Sequence, residues 1–231
     1  MKKILIPFLA LFMLLFSMEE VLAQRRKKTT EETSDKVSLD AFKFRNIGPA
    51  FLSGRISDIA MHPENNSLWY VAVASGGVWK TENAGTTWQS IFEGQGTFAA
   101  GCVTIDPNNP STVWVGTGEN VGGRHIAFGD GIYKSTDGGK SWNNMGLKES
   151  QQIGGIVINP DNPDIVLVAA YGPQRNSGGE RGVFRTIDGG KTWENVLFIS
   201  EHTGCWQIHM DPRNPNLVYA AAHQRQRHLN T

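Results

Sequence analysis

The stretch Glu119-Asn120-Val121-Gly122-Gly123-Arg124-His125-Ile126-Ala127-Phe128-Gly129-Asp130 gathers two carboxylates, a guanidinium and an imidazole on one glycine-rich segment. Two acids in such a place are what acid–base cleavage of a glycosidic bond uses, one protonating the leaving oxygen and the other activating water or attacking carbon. The same acids also serve to solvate a long loop, to pair with Arg124 or to cap turns. A second stretch, Gly172-Pro173-Gln174-Arg175-Asn176-Ser177-Gly178-Gly179-Glu180-Arg181, adds two guanidiniums, and His223 opens a third, His223-Gln224-Arg225-Gln226-Arg227-His228. Asp58 stands inside an alternating apolar run. Carboxylates, guanidiniums and imidazoles on irregular loops suit a sugar or an acidic ligand. The candidate ligand-binding residues are therefore Asp58, Glu119, Arg124, His125, Asp130, Arg175, Arg181 and His223, with no catalytic residue assigned.

Other chemistries fit less well. His125, His202, His209 and His223 do not fall at metal-ligand spacing, so no metal site is expected. Cys102 and Cys205 lie at different offsets from their following prolines on strands a whole repeat apart, which predicts two free thiols. Neither has a neighbouring base, and no cofactor is implied. With 22 basic and 22 acidic residues the net charge is zero, which argues against nucleic acid as a partner, because phosphate neutralisation needs a clustered cationic excess.

The elements that must position these loops are repeated. Ser135-Thr136-Asp137-Gly138-Gly139-Lys140-Ser141-Trp142 recurs as Thr186-Ile187-Asp188-Gly189-Gly190-Lys191-Thr192-Trp193, and as Thr81-Glu82-Asn83-Ala84-Gly85-Thr86-Thr87-Trp88 with Asn83 in place of the acid. The tryptophans are 54 and 51 residues apart, a period of propeller-blade size. Each copy reads as a tight hairpin: Asp or Asn accepts N–H bonds from two or three residues on, Gly supplies positive φ, and the Trp packs on the sheet. Asn83, Gly85, Trp88, Asp137, Gly139, Trp142, Asp188, Gly190 and Trp193 are thus structural. This pattern resembles the Asp-box or BNR-repeat family, Ser/Thr-x-Asp-x-Gly-x-Thr/Ser-Trp, which includes sialidases, sortilin-type ectodomains and xyloglucanase-like glycoside hydrolases. The resemblance covers roughly residues 42–231.

A second element alternates with the hairpins. Gly54-Arg55-Ile56-Ser57-Asp58-Ile59-Ala60-Met61-His62-Pro63 has counterparts ending at Pro107, Pro160 and Pro212, each followed by an Asn-rich turn and a β-prone run such as Thr112-Val113-Trp114-Val115. Each unit resolves into four short antiparallel strands, which is a blade. The fold class expected is all-β: a partial β-propeller of four-stranded blades, three complete and half of a fourth. Blades one to three span 54–92, 99–146 and 153–198, and a fourth begins over 204–231. Residues 41–49, with Phe44-Arg45-Asn46-Ile47 matching Trp142-Asn143-Asn144-Met145, read as an outermost strand that closes another blade. The incomplete fourth unit reads as the point where a longer propeller has been cut. Period-two apolar residues predict a blade-one core of Ile56, Ile59, Val71, Val73, Val78, Trp79 and Trp88. The Pro turns and the Trp hairpins should share one face, and the candidate loops should share the other.

Ahead of the propeller, Lys2 and Lys3, the apolar run Ile4–Phe16 and Val21-Leu22-Ala23 read as a signal peptide over 1–23, shorter than the about 20 apolar residues of a membrane span. Residues 24–40 are polar and charged, a disordered leader. The chain is expected to be exported, with no membrane span in its mature form.

The family resemblance implies more about activity. Blade one resembles xyloglucanase-like enzymes through Gly54–Pro63 and Tyr70-Val71-Ala72-Val73-Ala74-Ser75-Gly76-Gly77-Val78-Trp79-Lys80. In those enzymes an Asp just before the residue preceding the paired glycines is the catalytic base, and here that place is held by Ala74. A sialidase-like Arg-Ile-Pro start is replaced by Arg55-Ile56-Ser57. Two readings follow: an exported propeller binding a polysaccharide, peptide or protein without chemistry, or a xyloglucanase-like hydrolase drawing acids from elsewhere.

Overall fold

The computed structural model describes residues 54–119 and 126–224. The expected signal segment, charged leader and 41–49 strand lie outside these residues, as do Arg124, His125 and residues 225–231. Fourteen strands follow in chain order among the described residues: β1 (Ile56–Met61), β2 (Trp69–Val73), β3 (Gly77–Thr81), β4 (Gln89–Ser90), β5 (Ala100–Ile105), β6 (Val113–Thr117), β7 (Ile132–Ser135), β8 (Asn143–Asn144), β9 (Ile153–Ile158), β10 (Val166–Ala170), β11 (Gly182–Thr186), β12 (Glu194–Leu197), β13 (Thr203–Asp211) and β14 (Asn214–Gln224). They form three antiparallel sheets of four sequential strands, β1–β4, β5–β8 and β9–β12, and a pair, β13–β14. Successive first strands lie side by side: β1 packs against β5, β5 against β9, and β9 against β13. This is an all-β partial β-propeller with β1, β5, β9 and β13 innermost. Among the described residues no helix is long and apolar enough to cross a membrane.

Two local devices set the blades. At the first turn, the residue before each proline accepts N–H groups that would otherwise lack partners. Asp106 Oδ1 takes Asn108 and Asn109, Asn159 Oδ1 takes Asp161 and Asn162, and Asp211 Oδ1 takes Arg213. His62 does the same through Nδ1, accepting from Glu64 and Asn65 at 3.1 Å. At the hairpin between third and fourth strands, Asp137 Oδ1 accepts from Lys140 and Ser141 at 3.0 and 2.9 Å, and Asp188 Oδ1 from Lys191 and Thr192 at 2.9 and 3.0 Å. Asn83 Oδ1 takes a single backbone N–H, that of Thr87 at 2.8 Å, together with the Thr81 hydroxyl. These acceptors reach three and four residues on, one further than expected. Gly139 and Gly190 sit at φ 87° and 97°, where a side chain would be strained.

The two turns meet on one face, as expected: Gly138 N–H donates to Ser111 O, Gly189 N–H to Asp164 O and Ala84 N–H to Ser67 O. The second and third hairpins also hook the preceding sheet. Trp142 Nε1 donates to Ile91 O, and Trp193 Nε1 to Met145 O, both at 2.7 Å.

The core lies between sheets rather than within them. Tyr70, Ala72, Val78 and Phe92 of the first sheet pack on Val103, Val113, Val115 and Tyr133 of the second. Trp114 and Ile132 of the second pack on Ile156, Val168 and Phe184 of the third, and Val183 of the third packs on Cys205 and Ile208 of β13. The expected blade-one core is corrected here. Val71, Val73 and Val78 are buried, but Ile56 and Ile59 are 65% and 51% exposed, and Trp88 is exposed as well. The reason is positional: no described sheet packs on the face that carries Ile56, Ile59, Trp69, Trp79 and Trp88, which forms an apolar groove of about 380 Å³.

Candidate functional site

The inner strands enclose a cleft of about 460 Å³. Its lining comes from every blade: Arg55, Ser57 and Asp58 around β1, Gly101, Cys102 and Thr104 of β5, Gly154 and Gly155 of β9, and Trp206, Gln207 and His209 of β13, with Ala74 and Glu119 at strand ends. Of the sequence candidates, the structure brings Asp58 and Glu119 to this cleft and leaves the other described ones elsewhere.

Asp58 is half-buried and clamps two blades. Its Oδ2 accepts the Val103 N–H of β5 at 3.0 Å while Oδ1 accepts the Ile59 N–H at 2.8 Å. Glu119 is 1% exposed. Its Oε1 pairs with Arg55 Nη2, and its Oε2 takes the Ala127 N–H at 3.3 Å. A buried carboxylate is tolerated because this cation and this amide offset its desolvation. The result ties the start of β1 to the base of the loop after β6.

Asp130 does not line the cleft. Tyr133 OH donates to its Oδ2 at 2.6 Å, and Thr117 Oγ1 lies 3.4 Å from Oδ1. The Glu119 and Asp130 pair suggested by the sequence is therefore split between cleft and loop base. Arg181 is buried and serves its own loop, donating to the carbonyls of Gly178, Tyr171, Pro173 and Asn176. Burial lowers its pKa from the usual guanidinium value. Its donors hold Gly172–Arg181 in shape rather than facing outward. Arg175 and His223 are exposed, the latter near the end of β14.

Cys102 and Cys205 are free and buried, as expected. Burial, and for Cys102 also the nearby Asp58 carboxylate, pushes both thiols above their ordinary range, which is the opposite of an activated nucleophile. Among the described residues no group of three or more His, Cys, Asp or Glu is placed to hold a metal ion.

Sequence reasoning missed Arg55, Trp206 and Gln207 as cleft residues. A signal for Trp206 was present. Six residues before each turn proline stand Ser57, Gly101, Gly154 and Trp206. At each of these positions the pairing to the second strand slips by one residue, a β-bulge in all four inner strands.

Two curated relatives match across most of the chain. A probable oligoxyloglucan-reducing end-specific xyloglucanase of Neosartorya fischeri is 22% identical over 199 residues, covering 79% of this chain and 23% of that protein. A xyloglucanase of Hypocrea jecorina is 24% identical over 190 residues, covering 76% and 21%. The chain is similar to xyloglucanases. It spans about a fifth of their length. Among solved structures, an ancestral GH74 enzyme superposes with a TM-score of 0.60 at 24% identity, over 73% of this chain and 22% of that one. The extracellular domain of a hybrid two-component system from B. thetaiotaomicron gives 0.52 at 14% identity, over 77% and 23%. These superpositions establish a shared fold. No protein-family model matches the chain.

Proposed function

We propose that this chain is part of an exported Asp-box propeller of the glycosyl-hydrolase-like class that holds a polysaccharide segment in the inner-strand cleft without cutting it. The observation that carries this reading is the state of the acids there. Asp58 and Glu119 are engaged by Val103, Ile59, Arg55 and Ala127, and Ala74, beside them in the lining, has no group to accept a proton. Turning either acid to a substrate would break a clamp between blades. Export through residues 1–23 belongs to the same proposal, as does the absence of a metal, cofactor or nucleic-acid partner. The similarity to two xyloglucanases favours a second reading, a glycoside hydrolase acting on polysaccharide through residues outside the described ones.

Binding and hydrolysis are separated by presenting xyloglucan, other plant glucans and bacterial polysaccharides to the protein, with retention by affinity electrophoresis and reducing-end release both measured. Retention without release is expected. Release of oligosaccharide that disappears in Asp58→Asn or Glu119→Gln would replace the binding reading with the hydrolytic one.

A further inference from the structure

We infer that the side-chain amide of Gln152 binds an ordered water molecule, buried beside the start of β9 on the face that carries the long loops. Eight residues before each turn proline stand Arg55, Ala99, Gln152 and Gly204. The backbone gives the first three the same place in their blades: Arg55 O accepts the Ala74 N–H, Ala99 O the Gly118 N–H and Gln152 O the Tyr171 N–H. From that place a long side chain reaches the next blade, as Arg55 does when it pairs with Glu119, the residue after Gly118. In the third blade the side chain is again polar, but shorter and neutral. By the pairing of Gly204 with His223, the counterpart of Glu119 in the following unit is Gln224, and it is exposed.

Gln152 is fully buried, and among the described residues neither its Oε1 nor its Nε2 has a hydrogen-bond partner. Because both ends are orphaned, exchanging O and N by flipping the amide repairs nothing. Backbone rotation does not re-aim it either. Its N–H donates to Ser150 O at 2.6 Å, its carbonyl is taken by Tyr171, and Gln151 before it is held in the left-handed region at φ 55° with its own carbonyl on the Gly129 N–H. Gly118 packs tightly here too, since a Cβ on it would lie 2.8 Å from Gln152 Cα. A buried amide in this state loses the solvation of both a donor and an acceptor, a larger cost than immobilising one solvent molecule. The ligand must accept from Nε2, donate to Oε1 and carry no charge, because a lone ion at such depth lacks a counter-charge. The buried charged side chains of the neighbouring loops, Glu119 and Arg181, already have partners. Water meets each condition, and one molecule can close a ring with a single amide.

The test counts long-lived internal waters in the full chain by water-oxygen magnetic relaxation dispersion. Gln152→Met, which keeps the length of the side chain and removes its polar atoms, is expected to lose at least one such water while circular dichroism shows it folded. An unchanged or higher count in the folded variant overturns the site. If the variant does not fold, the electron density of wild-type crystals decides. A water within hydrogen-bond reach of both amide atoms upholds the site, and an amide that touches no water, whether bonded to Gln224 or to another protein group, overturns it.

Discussion

Asp137 and Asp188 each hold two backbone N–H groups and two hydroxyls with one carboxylate. These bonds, led by the Ser141 hydroxyl for Asp137 and the Thr192 hydroxyl for Asp188, hold both acids well below the usual carboxylate range. Because the folded value lies below the unfolded one, about 3.9, their contribution to stability is complete above that value. It is lost as the pH falls through the folded value. Asn83 accepts from the Thr81 hydroxyl and the Thr87 N–H and donates through Nδ2 to Thr87 Oγ1, and an amide does not titrate. On acidification the second and third hairpins are therefore expected to loosen while the first persists. Amide exchange at Ser141 and Thr192, compared with Thr87, reads this directly. Loss of protection at all three at one pH would show that the carboxylates are not what hold the hairpins.

At the scale of the element, the hairpin tryptophans differ by what they hook. Trp142 reaches Ile91 O and packs edge-on against Phe92, whereas within the described residues no carbonyl accepts the Trp88 N–H. Trp142→Ala is expected to cost about 3–5 kcal/mol by cavity formation and bond loss. Trp88→Ala should cost about 1 kcal/mol, as at an exposed site. Urea midpoints of the two variants check the ordering. This difference also marks what the sequence could disclose. The hairpins and proline turns were legible because their bonds close within four residues, so residue type and spacing determine them. The Arg55–Glu119 pair, the inward turn of Arg181 and the split of Glu119 from Asp130 were not legible, because each depends on which distant strand ends the fold brings together. Ile56, Ile59 and Trp88 were misjudged for a related reason: alternation shows which face is apolar, not whether a sheet covers it.

Across the whole molecule, one uncovered apolar surface among the described residues is the face of the first blade that carries Ile56, Ile59 and Trp88. Exposed groups of this kind recruit amphipathic dyes and neighbouring molecules. The protein is expected to enhance ANS emission, and Ile56→Thr with Ile59→Thr should reduce that emission without lowering the thermal midpoint. Unchanged emission would mean that the groove is already filled.

The tethers between neighbouring sheets run both ways. The indoles of Trp142 and Trp193 reach back to Ile91 O and Met145 O, while the Tyr70 hydroxyl and Lys134 Nζ reach forward to Gly138 O and Gly189 O in the same two hairpins. Each of these hairpins is thus hook and eye at once to the sheet before it, so a seam that loses one donor is still fastened by the other.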